Sequence, residues 1–178
     1  MARPQHILLV DGYNVLRSGQ YAAHLERSQA LGADWTDGYF NRARECLYKD
    51  VAELAAGRFR PYIVFDAAAN PYDGQKEHHT GSLTVLFSDY GQSADSKIEG
   101  LSKRFQEQGY PVTVLSADRA LQETVMGGQV TRMSVLDFTR ELEYVAELDV
   151  PEAPSTNKLG DHLDPETRAK LDRLRGRP

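Results

Sequence analysis

The sequence predicts an α/β domain built on a central, mainly parallel sheet flanked by helices, and three observations carry that expectation. Short runs of apolar, β-prone residues, Ile7 to Val10, Tyr62 to Phe65 and Val112 to Leu115, lack the polar alternation of a half-exposed strand and suit strands covered on both faces. Between them stand stretches whose apolar residues recur at three- and four-residue spacing, as crossover helices do. Each run also leads into an acid, Asp11, Asp66 and Asp118, and ligands of open parallel sheets gather at the carboxyl ends of the strands.

Composition sets the limits. A chain of 178 residues, 40% hydrophobic and 26% charged, describes one globular domain, placed at residues 1 to 150, with a linker and a short charged helix over 151 to 178. The single cysteine, Cys46, excludes an internal disulfide and a zinc-thiolate cluster and fits a reducing cytoplasm. No signal peptide is visible and no apolar run approaches the ~20 residues of a spanning helix, so a cytoplasmic protein without a membrane partner is expected. The net charge of −5 gives no bulk argument for nucleic-acid binding, although local basic patches could supply it. From Lys158 onward six basic residues face four acidic ones. Such a tail can follow phosphate, and a solvated terminal helix is the plainer reading.

Taken in order, the first strand ends in Asp11-Gly12-Tyr13-Asn14, where Gly12 permits a sharp turn and Asn14 can cap the turn that follows. Residues 18 to 38 read as a long loop around Trp35. Phe40, Ala43, Leu47, Val51 and Leu54 mark the first crossover helix, from Tyr39 to about Gly57, with Thr36 or Asp37 as N-cap. The second strand ends at Asp66. Residues 67 to 82, with Asn-Pro, Asp-Gly and the pair His78-His79, read as loop. Adjacent histidines on a loop lack the i, i+4 geometry of zinc motifs, so no metal is assigned to them.

Leu83 to Phe87 forms the third strand, and Ser93 caps a helix with Ile98, Leu101 and Phe105 as its buried stripe. Asp95 and Glu99 lie one turn apart, about a quarter-turn from that stripe, and so border the crevice. The helix dipole alone would also favour Asp95 there. Gln108 to Pro111 ends the helix, Val112 to Leu115 is the fourth strand, and Asp118 either joins the site or caps a helix from Arg119 to Met126. Gly127-Gly128 breaks the chain. No P-loop and no G-x-G-x-x-G stands behind a strand, which argues against a nucleotide cofactor. Gln129 to Met133 is a short fifth strand, and Ser134 to Asp137 a capping box opening a helix to about Leu148 with Val135, Phe138, Leu142 and Val145 inward. Pro151 to Asn157 is linker, and Asp164-Pro165 opens the terminal helix.

Acids at three strand ends, plus Asp95 and Glu99, exceed what folding requires. Converging carboxylates raise one another's pKa unless a cation neutralises them, and hard oxygen ligands suit Mg²⁺ or Mn²⁺. Such an ion activates water and stabilises charge on a phosphodiester.

The ordered set Asp11-Gly-Tyr-Asn14, Val64-Phe65-Asp66-Ala67, Thr84 to Phe87, Ser93-Ala-Asp95 with Ile98-Glu99, and Ser116-Ala-Asp118 resembles the YacP-like NYN domains over roughly residues 6 to 148. The resemblance implies a PIN-like three-layer fold and metal-dependent endoribonuclease activity on messenger RNA at the ribosome. It further implies Asp11, Asp95 and Asp118 as catalytic and metal-binding residues, supported by Asn14, Asp66 and Glu99. The long acidic loop and the weakly basic tail depart from the family pattern, so RNA cleavage is more firmly implied than ribosome dependence. Arg17, Lys97, Lys103, Arg104, Arg119 and Arg132 are the candidates to contact RNA. A haloacid-dehalogenase phosphotransferase would need a second acid where Tyr13 stands. A non-catalytic RNA- or ribosome-binding module of the same fold is the alternative, separable by Mg²⁺ binding.

Overall fold

The computed structural model describes residues 6–22, 38–71, 74–118, 121 and 130–148. Six strands, β1 (His6–Asp11), β2 (Phe59–Phe65), β3 (Glu77–Thr80), β4 (Leu83–Phe87), β5 (Val112–Leu115) and β6 (Val130–Met133), form one sheet in the order β3-β4-β2-β1-β5-β6. The helices are α1 (Gly12–Leu16), α2 (Gly38–Ala55), α3 (Ala94–Glu107) and α4 (Val135–Leu148), with 3-10 turns at Gly19–Tyr21 and Ala67–Ala69. β1 runs parallel to β2 and β5, β2 to β4, and β5 to β6, whereas β3 runs antiparallel to β4. The chain builds outward from β1 through β2 to β4, then returns across α3 to β5 on the other side of β1. The strand order therefore reverses between β1 and β5, and a crevice opens outside the carboxyl ends at such a point.

Strand alternation divides the core into two layers. Leu8 and Val10 of β1, Ile63 and Phe65 of β2, and Leu83, Val85 and Phe87 of β4 face α1, α2 and Phe138 of α4. Ile7, Leu9, Tyr62, Val64, Leu86, Val112 and Val114 face Ala94, Ile98 and Phe105 of α3, together with Leu121. Both faces of β1 are buried, which is why its apolar run is continuous.

Two expectations need correction. Residues 67 to 82 are not all loop: Glu77–Thr80 forms β3, joined to β4 through Gly81-Ser82, with Gly81 at φ 59. Glycine then serine between two runs is a two-residue hairpin signal, outweighed in the sequence reading by the breakers before it. His79 is held there by Glu77 at 3.1 Å and Thr84 at 3.2 Å. Asn14 does not cap the turn after β1. Asp11 is the N-cap of α1, and its Oδ1 accepts the Asn14 backbone N–H at 3.2 Å. Gly12 does stand where β1 turns into α1, and space adds a second reason for glycine there. A Cβ at Gly12 would stand under 3.0 Å from three atoms of the buried Phe65 ring, so close approach excludes a side chain.

The first crossover helix runs from Gly38 to Ala55 rather than Tyr39 to Gly57, since Gly57 at φ 69 lies beyond its end. Of the expected loop, Gly19–Tyr21 is a 3-10 turn tied to α2 by the Tyr21 hydroxyl, which donates to Asp50. Residues 23 to 37 of that loop, Thr36 and Asp37 included, the helix from Arg119 to Met126 apart from Leu121, and the linker and terminal helix all lie outside the described residues. The chain divides into a unit of residues 1–145 and a second of 146–178. Among the described residues no helix is long and apolar enough to cross a membrane.

Candidate functional site

The same alternation that builds the core aims the polar side chains. On β1 the face turned to α3 carries Ile7, Leu9 and then Asp11. On β2 it carries Tyr62, Val64 and, just past the strand, Asp66; on β5 it carries Val112, Val114 and then Ser116. Three strands thus deliver three polar groups to one edge, opposite the first turn of α3, where Asp95 stands.

Asp11 is 1% exposed and fully engaged. Its Oδ1 takes the Asn14 N–H, while Oδ2 accepts from the Asn14 amide and, at 3.0 Å, from the Ser116 hydroxyl. Burial and, to a lesser extent, Asp66 hold its pKa above the ordinary carboxylate value, and the bonds from Asn14 and Ser116 limit the rise. Ser116, wholly buried, also accepts the Asp118 N–H at 3.0 Å, so one hydroxyl links the end of β1 to the turn that carries Asp118. Asp66 accepts the Ala94 N–H at 2.8 Å and so holds the start of α3 against the end of β2. The turn at Asp66 is fixed by Ser88, whose hydroxyl accepts the Ala67 N–H at 3.0 Å.

Asp95 is the contrast. Among the described residues no donor reaches its carboxylate, and its pKa is pushed up to about 6, first by burial and then by Asp11, Asp118, Asp66 and Glu99. The other four acids singled out in the sequence thus all bear on Asp95. Even so, among the described residues no three histidine, cysteine or acidic side chains form a group that could hold an ion as they stand.

A cavity of about 380 Å³ opens here, lined by Asp11, Tyr13, Asn14, Asp66, Asp95 and Arg17 among others. Tyr13 forms one wall. Its ring meets Phe40 and Phe65 at 5.9 and 6.4 Å, and the Arg17 guanidinium lies 4.8 Å from its centroid. Burial drives the Tyr13 phenol well above its ordinary value, so it stays neutral at any working pH. Beneath it Arg44, 3% exposed, lies over Phe40 and Phe65 and bonds Asn41.

The basic candidates are dispersed. Arg17 lines the cavity. Lys97 lies on α3 and acts on Asp89. Lys103 and Arg104 occupy the far end of α3, Arg132 is exposed on β6, and Arg119 lies outside the described residues.

The model of the YacP-like NYN domain matches residues 8–176. The chain belongs to that family. It is 27% identical over 142 residues, 78% of this chain and 76% of the relative, to the uncharacterized protein YacP of Bacillus subtilis (strain 168). It is also similar to two crystal structures of Rae1 (YacP) from Bacillus subtilis. A point mutant matches with TM-score 0.63 and 25% identity over 96% of this chain and 99% of that one; the other structure matches with TM-score 0.62 and 25% identity over 81% and 77%. NYN domains are PIN-like and generally nucleases, and the mainly parallel sheet with helices on both faces agrees with that fold.

As a YacP-like NYN domain the chain carries its acids where the ordered motifs place them, but three contributors escaped the sequence reading. Ser116 was quoted only as part of a motif, yet it bridges Asp11 and the Asp118 turn. The signal available was a serine two residues before an acid at a strand end, a local side-chain-to-backbone turn. Tyr13 walls the cavity, and the buried Phe65 ring backs it through a contact remote in sequence, which no local pattern announces.

Proposed function

We propose that this chain is a divalent-metal-dependent endoribonuclease that hydrolyses RNA phosphodiester bonds in the cytoplasm, acting on messenger RNA presented by the translating ribosome. The observation that supports it most is Asp95, a carboxylate without a donor among the described residues, set where Asp11, Asp118, Asp66 and Glu99 all oppose its charge. Electrostatics of that kind costs stability and is relieved by a cation. The donor chemistry fits Mg²⁺ or Mn²⁺. Magnesium is commonly held through one or two carboxylates with the remaining positions left to water and substrate phosphate, so a closed group of three side chains is not required.

Asp11, Asp95 and Asp118 are the residues that would hold the ion. Once bound, it would supply an activated water and offset charge on the scissile phosphate. The other groups position. Asn14 and Ser116 fix the Asp11 carboxylate, Asp66 holds α3 so that Asp95 stays opposite β1, and Glu99 adds negative charge one turn further. Arg17 offers a cation to a phosphate from the cavity wall. With a net charge of −5 and three acids lining the cavity, free RNA is repelled, which favours a partner that presents the message.

A second reading, a binding module without catalysis, is favoured by the lack of a preformed three-ligand group among the described residues. The deciding experiment incubates the protein with labelled RNA, naked and under translation, with Mg²⁺, Mn²⁺ or chelator, and maps new ends. Metal-dependent ends at defined codon positions under translation are expected. Equal cutting of naked RNA removes the ribosome, and no new ends under any condition leaves the binding module.

A further inference from the structure

A second cationic locus lies at the opposite end of α3 from the acids. Arg60 is exposed near the start of β2, on the face turned to α3, and its guanidinium sits 5.4 Å from the Tyr62 ring centroid. Arg104, exposed in the last turn of α3, sits 5.5 Å from the Phe105 ring. The two rings are 5.2 Å apart, and Tyr110 meets Phe105 edge-on at 6.2 Å, so both guanidiniums rest on one aromatic cluster. In a chain with 26 acids against 21 basic residues, neither arginine has a salt bridge among the described residues. The neighbouring acid, Glu77, is engaged by His79 at 3.1 Å. Both guanidiniums act on the Tyr62 phenol, whose pKa burial raises and which Glu77 and Tyr110 raise further.

Stacking on an aromatic face fixes a guanidinium in place and leaves its N–H edge outward, which is the geometry that takes phosphate oxygens. We propose that Arg60 and Arg104 form a phosphate anchor for single-stranded RNA, a few nucleotides along the strand from the carboxylate site. The inference rests on the endoribonuclease reading for its ligand. The separation follows from the elements: nine residues of α3 between Asp95 and Arg104 rise ~13 Å, and six residues of β2 between Arg60 and Asp66 span ~20 Å. RNA long enough to reach both places gains two phosphate contacts, and RNA confined to the crevice gains none. Affinity is thus placed on the two arginines, and chemistry on the carboxylates.

The test measures anisotropy of fluorescent single-stranded RNAs of about 4 and about 12 nucleotides in chelator, with parent and Arg60→Gln/Arg104→Gln protein. The double variant is expected to bind the longer RNA about tenfold more weakly, with its salt slope reduced by about 1.4. Arg60→Lys/Arg104→Lys, which keeps charge and loses the planar fork, should fall between, with melting temperatures confirming that all three fold alike. Equal affinity of parent and variant for the longer RNA overturns the anchor. A parent that binds neither RNA also overturns it. Metal-dependent cleavage of a translated message by the same preparation then shows whether the endoribonuclease reading stands without the anchor.

Discussion

Asp11 and Asp95 face each other across one crevice and are built in opposite ways. Asp11 is buried, caps α1 and receives bonds from Asn14 and Ser116, so part of the cost of its negative charge is offset by the protein itself. Asp95 sits on the first turn of α3, half-buried, with no donor among the described residues and four acids opposing it. The difference teaches that a cluster of acids is not one kind of object. One carboxylate belongs to the fold as much as to the site; the other is tolerated by the fold and gains a counter-charge only from outside. A raised pKa that donors hold back marks the first kind, and a raised pKa that no donor opposes marks the second.

The largest expected effect joins the two. Asp11→Asn and Asp95→Asn should each lower metal-dependent RNA cleavage by about a hundredfold or more, measured on the substrate that the parent cuts best. Their stabilities should then separate. Asp11→Ala loses a helix cap and strands two buried donors, costing about 2 kcal/mol in denaturant unfolding, whereas Asp95→Ala should cost nothing or stabilise slightly. Equal losses at the two positions would erase the distinction.

Smaller changes sharpen it. Gly12→Ala drives a Cβ against the Phe65 ring and should cost about 1–3 kcal/mol, with activity falling because Asp11 and Asn14 flank it. Ser116→Ala removes one hydroxyl from Asp11 and from the Asp118 turn. It should cost about 1 kcal/mol and lower cleavage while leaving Asp95 in place, a loss visible in kcat at saturating RNA.

The smallest effect is a dependence on pH, read in metal-free protein. The folded-state pKa of Asp95 stands at about 6 against 3.8, so between those values the folded state binds more protons than the unfolded one and the parent loses stability as pH rises. Asp95→Asn lacks that group. Its melting temperature relative to the parent should therefore rise from about pH 4 to about pH 6 and stay level above. A constant difference across that range would mean that Asp95 is not repelled in the folded chain.

Much of this was legible in residue order. Strands that end in acids, helices with three- and four-residue apolar spacing, and Asp95 one turn from Glu99 are local patterns, and the sheet gathers them as expected. The double role of Asp11 was not legible, because whether a strand-end acid caps the next turn depends on backbone angles that Asp11-Gly-Tyr-Asn14 leaves open. Ser116 reaches Asp11 across 105 residues, and only the pairing of β1 with β5 makes them neighbours. Gly12 was legible as a turn glycine, but not that the ring of Phe65 also excludes a side chain there, a contact set by the register of β1 and β2. β3 was hidden because a short polar edge strand has no buried face to show. Arg60 passed unnoticed because its aromatic neighbours are assembled from β2 and α3 together.

The most direct test of the account is calorimetric titration of Mg²⁺ and Mn²⁺ into the metal-free parent and into Asp95→Asn, at pH 7.5 and without RNA, since it asks whether the uncompensated carboxylate is there for a cation. The account predicts saturable binding by the parent and at least tenfold weaker binding by Asp95→Asn with its fold intact. A parent that binds neither ion at millimolar concentration, or an Asp95→Asn protein that binds them as tightly as the parent, would contradict it.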